Sequence, residues 1–127
     1  MADELILIVE DNEKNLKLAR DVLQFRGFRT IEASTAEEGI ELAIEHKPDL
    51  VLMDYQLPGM NGVEALARLR ANPSMAVTPV VALTASAMRE DRERFLAAGF
   101  DGYLTKPIDV REFGNQVRGF LKSESGA

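Results

Sequence analysis

Five polar side chains follow directly on short apolar runs. Glu10 and Asp11 come after Leu5–Val9, Asp54 after Leu50-Val51-Leu52-Met53, Thr84 after Val80-Val81-Ala82-Leu83, and Lys106 after Gly102–Thr105. Three carboxylates, a hydroxyl and an ammonium are a set that can handle a phosphoryl group. Carboxylates brought together repel one another and cost stability unless a cation sits among them. The chain has no cysteine and a single histidine, so the available donors are oxygens, and these select a hard divalent ion. A few carboxylates completed by water and a phosphoryl oxygen suit Mg2+ better than a full Ca2+ cage. Three carboxylates and one lysine leave two negative charges, which Mg2+ cancels, so the pocket can then admit a phosphoryl group. A carboxylate can attack phosphorus to give an aspartyl-phosphate while a metal, a lysine and a hydroxyl stabilise charge on the transferring oxygens. Asp54 is the central candidate nucleophile. Each of these residues taken singly reads first as a cap on the helix that follows a strand. Their coincidence argues for a site.

The elements that must position them follow from the hydrophobic pattern. The apolar runs ending at Val9, Met53 and Leu83 are continuous rather than alternating, as strands buried on both faces of a parallel sheet are. Between them lie helical spacings: Leu16, Ala19 and Leu23, then Ile40, Ala43 and Ile44, then Val63, Leu66 and Leu69. Two weaker strands, Arg29–Ala33 and Gly102–Thr105, and two helices at about 88–98 and 110–122 complete five βα units. Right-handed crossovers place helices on both sides of such a sheet, and ligands bind outside the carboxyl ends of its strands, where the five polar residues stand. Gly27 and Gly99 are placed to end helices in a left-handed cap. Ser34-Thr35-Ala36-Glu37 and Asp109-Val110-Arg111-Glu112 each put an oxygen-bearing cap three residues before a glutamate, and so predict helix starts at these points.

A chain of 127 residues is one domain's length, expected to span 1–127 with a core of about 5–121 and a frayed tail or linker start at 123–127. An apolar fraction of 46% and a charged fraction of 28% are those of a globule that folds unaided. A net charge of −6 repels polyanions, so nucleic acid is not an expected partner. The absence of cysteine suits a reducing compartment. The first apolar run is too short for a membrane span or a signal segment, so a cytoplasmic protein without membrane insertion is expected.

Four segments taken together carry a resemblance: Val9-Glu10-Asp11-Asn12, the run from Leu52-Met53-Asp54-Tyr55-Gln56-Leu57-Pro58-Gly59 to Met60-Asn61-Gly62, Leu83-Thr84-Ala85, and Thr105-Lys106-Pro107. In order and placement they resemble the motifs of response-regulator receiver domains of two-component signalling, over about residues 5–121. The likeness extends to single-domain cell-cycle and chemotaxis receivers and to those of hybrid kinases. It implies a doubly wound five-stranded parallel sheet, flavodoxin-like, in the order 2-1-3-4-5 with five helices, an order that periodicity alone does not supply. It further implies that Asp54 accepts a phosphoryl group from a phosphohistidine on a sensor histidine kinase or histidine phosphotransfer protein, and that the change is passed to a downstream protein target. By position, Asp11 and Asp54 would hold Mg2+ directly, Glu10 through water, and Gln56 through its backbone carbonyl. Lys106 would pair with the phosphoryl oxygens, Thr84 would move to bind one of them, and Tyr103 would change rotamer with Thr84. The Lys106–Pro107 bond is expected to be cis, and the protein a monomer or weak dimer that catalyses only its own phosphorylation and dephosphorylation.

Plainer roles stand beside these. Tyr103 also reads as an ordinary strand residue with its hydroxyl in water. His46, before Lys47-Pro48, reads as a surface residue favoured by the helix dipole. Met53 is core filler, and Met60 is open between a plug against the sheet and a partner contact. Asp49 and Asp101 read as turn or cap residues. The stretch 89–94 reads as a solvated helix face or a partner surface. Two other functions fit these residues less well. An aspartyl-phosphate phosphohydrolase needs an acid two residues after the nucleophile, where Gln56 stands. A flavin or nucleotide carrier needs a glycine-rich loop where Glu10-Asp11 would repel an anion.

Overall fold

The structure, a computed structural model, describes residues 4–55, 57, 59–60, 62–85, 89–106 and 108–121, the side chains of 89–92 excepted. Gln56, Pro107 with its expected cis bond, and the tail 123–127 lie outside the described residues. In chain order the elements are β1 (Leu5–Val9), α1 (Glu13–Phe25), β2 (Arg29–Ala33), α2 (Ala36–His46), β3 (Leu50–Asp54), α3 (Gly62–Arg70), a 3-10 turn (Pro73–Met75), β4 (Val80–Thr84), α4 (Arg89–Ala98), β5 (Gly102–Thr105) and α5 (Phe113–Phe120). The strands form one parallel sheet in the order β2-β1-β3-β4-β5, the order the resemblance implied.

The continuous apolar runs have the predicted cause. Leu7, Val9, Val51, Met53, Val80 and Ala82 pack beneath α2, α3 and α4, while Ile6, Ile8, Leu50, Leu52, Val81 and Leu83 pack beneath α1 and α5. Every second side chain thus enters a different core, so neither phase of the strand can be polar. Full burial of each Leu, Ile or Val contributes roughly 1.5–3 kcal/mol, which makes the three inner strands the main hydrophobic mass of the fold. Met53 is fully buried, and Met60, also buried, belongs to the α2–α4 side core. Of its two readings the structure favours the plug.

Helix boundaries show where local chemistry was legible. Gly27 (φ 93°) and Gly99 (φ 108°) end α1 and α4 in the left-handed region, as predicted. No glycine marks the end of α2: Lys47 itself takes the left-handed conformation (φ 51°, ψ 63°) just after His46, whose ring is partly exposed beside Glu45. The predicted start of α2 is displaced by one residue. Thr35, not Ser34, is the cap, accepting from the Glu38 N–H, and it is Glu38, not Glu37, that reaches back to the Ser34 N–H. The start of α5 is displaced further. The Asp109 carboxylate accepts from the Arg111 N–H and closes a turn, and the helix begins only at Phe113.

The amino edge of the sheet is pinned by aspartates. Asp49 accepts from the Leu5 N–H at 2.8 Å and Asp101 from the Val80 N–H at 2.8 Å, each at a strand start. Arg70, at the end of α3, donates to Asp101 at 2.9 Å and to the carbonyls of Met75 and Thr78 at 2.8 and 2.6 Å. No helix among the described residues is long and apolar enough to cross a membrane.

Candidate functional site

At the opposite, carboxyl edge the sheet brings five predicted residues together. Glu10, Asp11, Asp54, Thr84 and Lys106 line one cleft of about 210 Å³, joined by Tyr55 and Ala85. The strand register sets this meeting. Val9 lies beside Met53, so Glu10 and Asp54 emerge at the same level, and Asp54 in turn lies beside Leu83, one residue before Thr84. The carbonyls at the end of β4 hold both flanks: Leu83 accepts from the Tyr55 N–H at 2.9 Å and Thr84 from the Lys106 N–H at 2.8 Å. The Gly62 N–H donates to the Tyr55 carbonyl at 3.0 Å, and a Cβ at Gly62 would meet the Tyr55 Cα at 3.2 Å. Glycine at that position lets the start of α3 approach the Tyr55 backbone closely.

Among the described residues, the electrostatics are those of a crowded acidic pocket with one internal cation, Lys106. Glu10 is 1% exposed, Asp54 4% and Thr84 6%, whereas Asp11 lies open to solvent. Carboxylate oxygens of Glu10, Asp11 and Asp54 all lie within 4.8 Å of one another. Lys106 Nζ sits 3.2 Å from Glu10 Oε1 and 3.2 Å from Asp54 Oδ2. The other Glu10 oxygen accepts from the Asn12 N–H at 3.1 Å. Burial pushes the Glu10 carboxyl from its ordinary 4.5 up to about 7; the Asn12 N–H and Lys106 oppose the shift, and the neighbouring Asp54 adds to it. Burial alone would lower the pKa of the Lys106 ammonium, but the charge and hydrogen bond of Asp54, then those of Glu10, outweigh it and hold the pKa above the ordinary lysine value. A carboxylate so reluctant to ionise is only partly compensated by Lys106 and Asn12, and three close carboxylate oxygens with no nitrogen or sulfur among them fit a hard divalent cation.

Tyr103 is not in the cleft. It stands half-buried on β5, its ring 6.1 Å from that of Phe95, and faces a groove of about 590 Å³ shared with Gln116 and Phe120. Gln56, expected to offer a backbone carbonyl, falls outside the described residues. Tyr55 is the cleft residue that the motif reading passed over as a site member. Its only signal in the sequence is its place directly after Asp54 at the end of β3.

A parallel sheet in this order, with acids behind β1 and β3, a hydroxyl behind β4 and a lysine behind β5, defines the receiver class of signalling domain. The chain belongs to the response regulator receiver domain family, whose sequence model matches residues 6–118. Among individual proteins it is 42% identical over 116 residues to the polar-differentiation response regulator DivK of Brucella anthropi, covering 91% of this chain and 94% of that one. In fold it matches the receiver domain of a sensor histidine kinase from Pseudomonas aeruginosa, solved with a magnesium ion coordinated in its active site cleft. That match has a TM-score of 0.86 and 33% identity, over 96% of this chain and 100% of the other. It also matches the chemotaxis response regulator CheY4 of Vibrio cholerae, with a TM-score of 0.88 and 25% identity over 95% and 99% of the two chains. The family acts as a signalling switch, working through histidine kinases and downstream targets rather than by turning over a substrate.

Proposed function

We propose that this protein is a phosphoacceptor switch that takes a phosphoryl group from a phosphohistidine of a sensor histidine kinase or histidine phosphotransfer protein onto Asp54. The observation that carries the reading is the placement of Lys106 Nζ at 3.2 Å from both Asp54 and Glu10, opposite an acidic cluster at the carboxyl edge of the sheet. Asp11 and Asp54, Glu10 through water and the Gln56 carbonyl are the groups that would hold Mg2+. When bound, that ion supplies charge neutralisation and a fixed anchor for a phosphoryl oxygen. Asp54 is 4% exposed and lines the cleft, so incoming phosphorus would reach its carboxylate from there. A new O–P bond forms to Asp54 as the N–P bond of the donor breaks, and the electron pair returns to the donor imidazole. Lys106, already turned towards Asp54, pairs with the phosphoryl oxygens, and the Thr84 hydroxyl takes another of them. The movement of Thr84 with Tyr103 then alters the surface offered to a downstream target.

Incubation with acetyl phosphate and Mg2+ tests the reading. One acid-labile phosphoryl group per chain is expected, absent in Asp54→Asn and absent with EDTA. Undiminished labelling of Asp54→Asn, or labelling indifferent to EDTA, overturns it.

A further inference from the structure

The contact between Tyr55 and α4 belongs to no part of the scheme above. The Tyr55 ring meets Phe95 edge-on, centroids 4.6 Å apart at 68°, and Phe100 at 6.3 Å. Phe95 also meets Phe100 at 6.3 Å and Tyr103 at 6.1 Å. Among the described side chains of α4, Phe95 is the buried one: Glu93, Arg94, Leu96 and Ala97 are exposed and Ala98 is half-buried. The anchor of α4 therefore touches the rings of two tyrosines. One of them lines the acidic cleft beside Asp54, and the other stands on β5. Tyr55 is also fixed at its backbone on both sides, by Leu83 and Gly62, so a change at Asp54 has few ways to be absorbed before it reaches the ring.

We infer that Tyr55 is a positioning residue of the switch: its ring holds Phe95, and through Phe95 sets α4 and Tyr103, forming an aromatic arm that runs beside the path through Thr84. The inference rests on the proposed role of Asp54. Rings in edge-to-face contact prefer that geometry over others, and the loss of one such pair biases a two-state equilibrium by roughly twofold to tenfold. Because Tyr55 and Phe95 pack in the same core as Phe100 and Tyr103, displacing one ring obliges the others to repack rather than slide. A direct path thus joins the cleft to α4 without passing through a hydrogen bond.

The composition makes the arm observable. The chain has no tryptophan and two tyrosines, Tyr55 and Tyr103, so its tyrosine emission comes from the two ends of this arm. Tyr55→Phe keeps the ring and leaves Tyr103 as the sole emitter; Tyr55→Leu removes the ring with the same sole emitter. Each protein is titrated with Mg2+ and beryllofluoride, with the bound fraction followed by fluorine NMR, and the Tyr103 emission change is compared at equal occupancy. The expected result is a normal response in Tyr55→Phe and one reduced by about half or more in Tyr55→Leu, at similar beryllofluoride occupancy. The cut is repeated one ring further on with Phe95→Leu in the Tyr55→Phe background, so a folding defect in either variant leaves the other to decide. Equal Tyr103 responses with and without the ring overturn the inference while leaving the phosphoacceptor reading intact. Failure of beryllofluoride to bind the unsubstituted protein overturns both.

Discussion

Glu10 offers the sharpest test of the cleft because its burden changes sign with conditions. Its carboxyl is raised to about 7 in the folded chain from an ordinary 4.5, chiefly by burial. Between these values the folded protein holds a proton that the unfolded chain has released. Raising the pH through that window therefore costs the folded state, at up to about 1.4 kcal/mol per pH unit. Over the interval the loss reaches at most roughly 3 kcal/mol, complete above pH 7 and absent below pH 4.5. Glu10→Gln does not ionise, so subtracting its stability from that of the unsubstituted protein cancels the titrating groups remote from the cleft and leaves Glu10 with its partners Asp54 and Lys106. Urea denaturation without metal at pH 5, 6, 7 and 8 should show the difference growing to the disadvantage of the unsubstituted protein up to pH 7 and then levelling. Saturating Mg2+ should reverse it, since binding a cation draws the proton off Glu10, and apparent Mg2+ affinity should fall as the pH drops below 7. A difference that stays flat between pH 5 and 7 would refute the claim that Glu10 is held in the cleft against its own charge.

Further tests reach other parts of the molecule. Lys106→Met removes the internal cation, so Mg2+ should bind several-fold tighter by isothermal titration while phosphorylation by acetyl phosphate slows. Lys47→Gly relieves a left-handed backbone at a non-glycine residue and should raise stability by about 1 kcal/mol in urea melts, with phosphorylation unchanged. Arg70→Ala leaves two carbonyls and Asp101 without their shared donor and should cost about 1–3 kcal/mol, again without effect on Mg2+ affinity at the far edge.

The sequence made the inner strands legible because burial on both faces leaves no room for a polar residue, and it made the cleft legible because a parallel sheet gathers whatever follows its strands at one edge. Strand order was different. The apolar runs of β1, β3 and β4 are interchangeable in composition, and only the motif resemblance arranged them. Errors fell where one side chain has two local uses. Asp109 has the right chemistry to cap a helix but spends its carboxylate on the Arg111 N–H, so α5 begins late. Thr35 and Glu38 displaced Ser34 and Glu37 because the two overlapping frames carry the same residue types. Lys47 gave no sign of its backbone, since the left-handed region is forecast from glycine and asparagine. The contact between Tyr55 and Phe95 joins residues forty positions apart, and no local pattern reports it.

The clasp of Arg70 on Asp101 has a mechanical meaning. Asp101 stands two residues beyond Gly99, where α4 ends, so the foot of that helix is tied to α3, to the 3-10 turn and to the start of β4. Its other end follows β4, whose carboxyl end borders the acidic cleft. A helix of ten residues fixed at one end is a lever about 15 Å long, so a tilt of about 10° about the Asp101 fulcrum carries its first turn through roughly 2–3 Å. A small rearrangement among the packed rings would be magnified at the tip of such a lever.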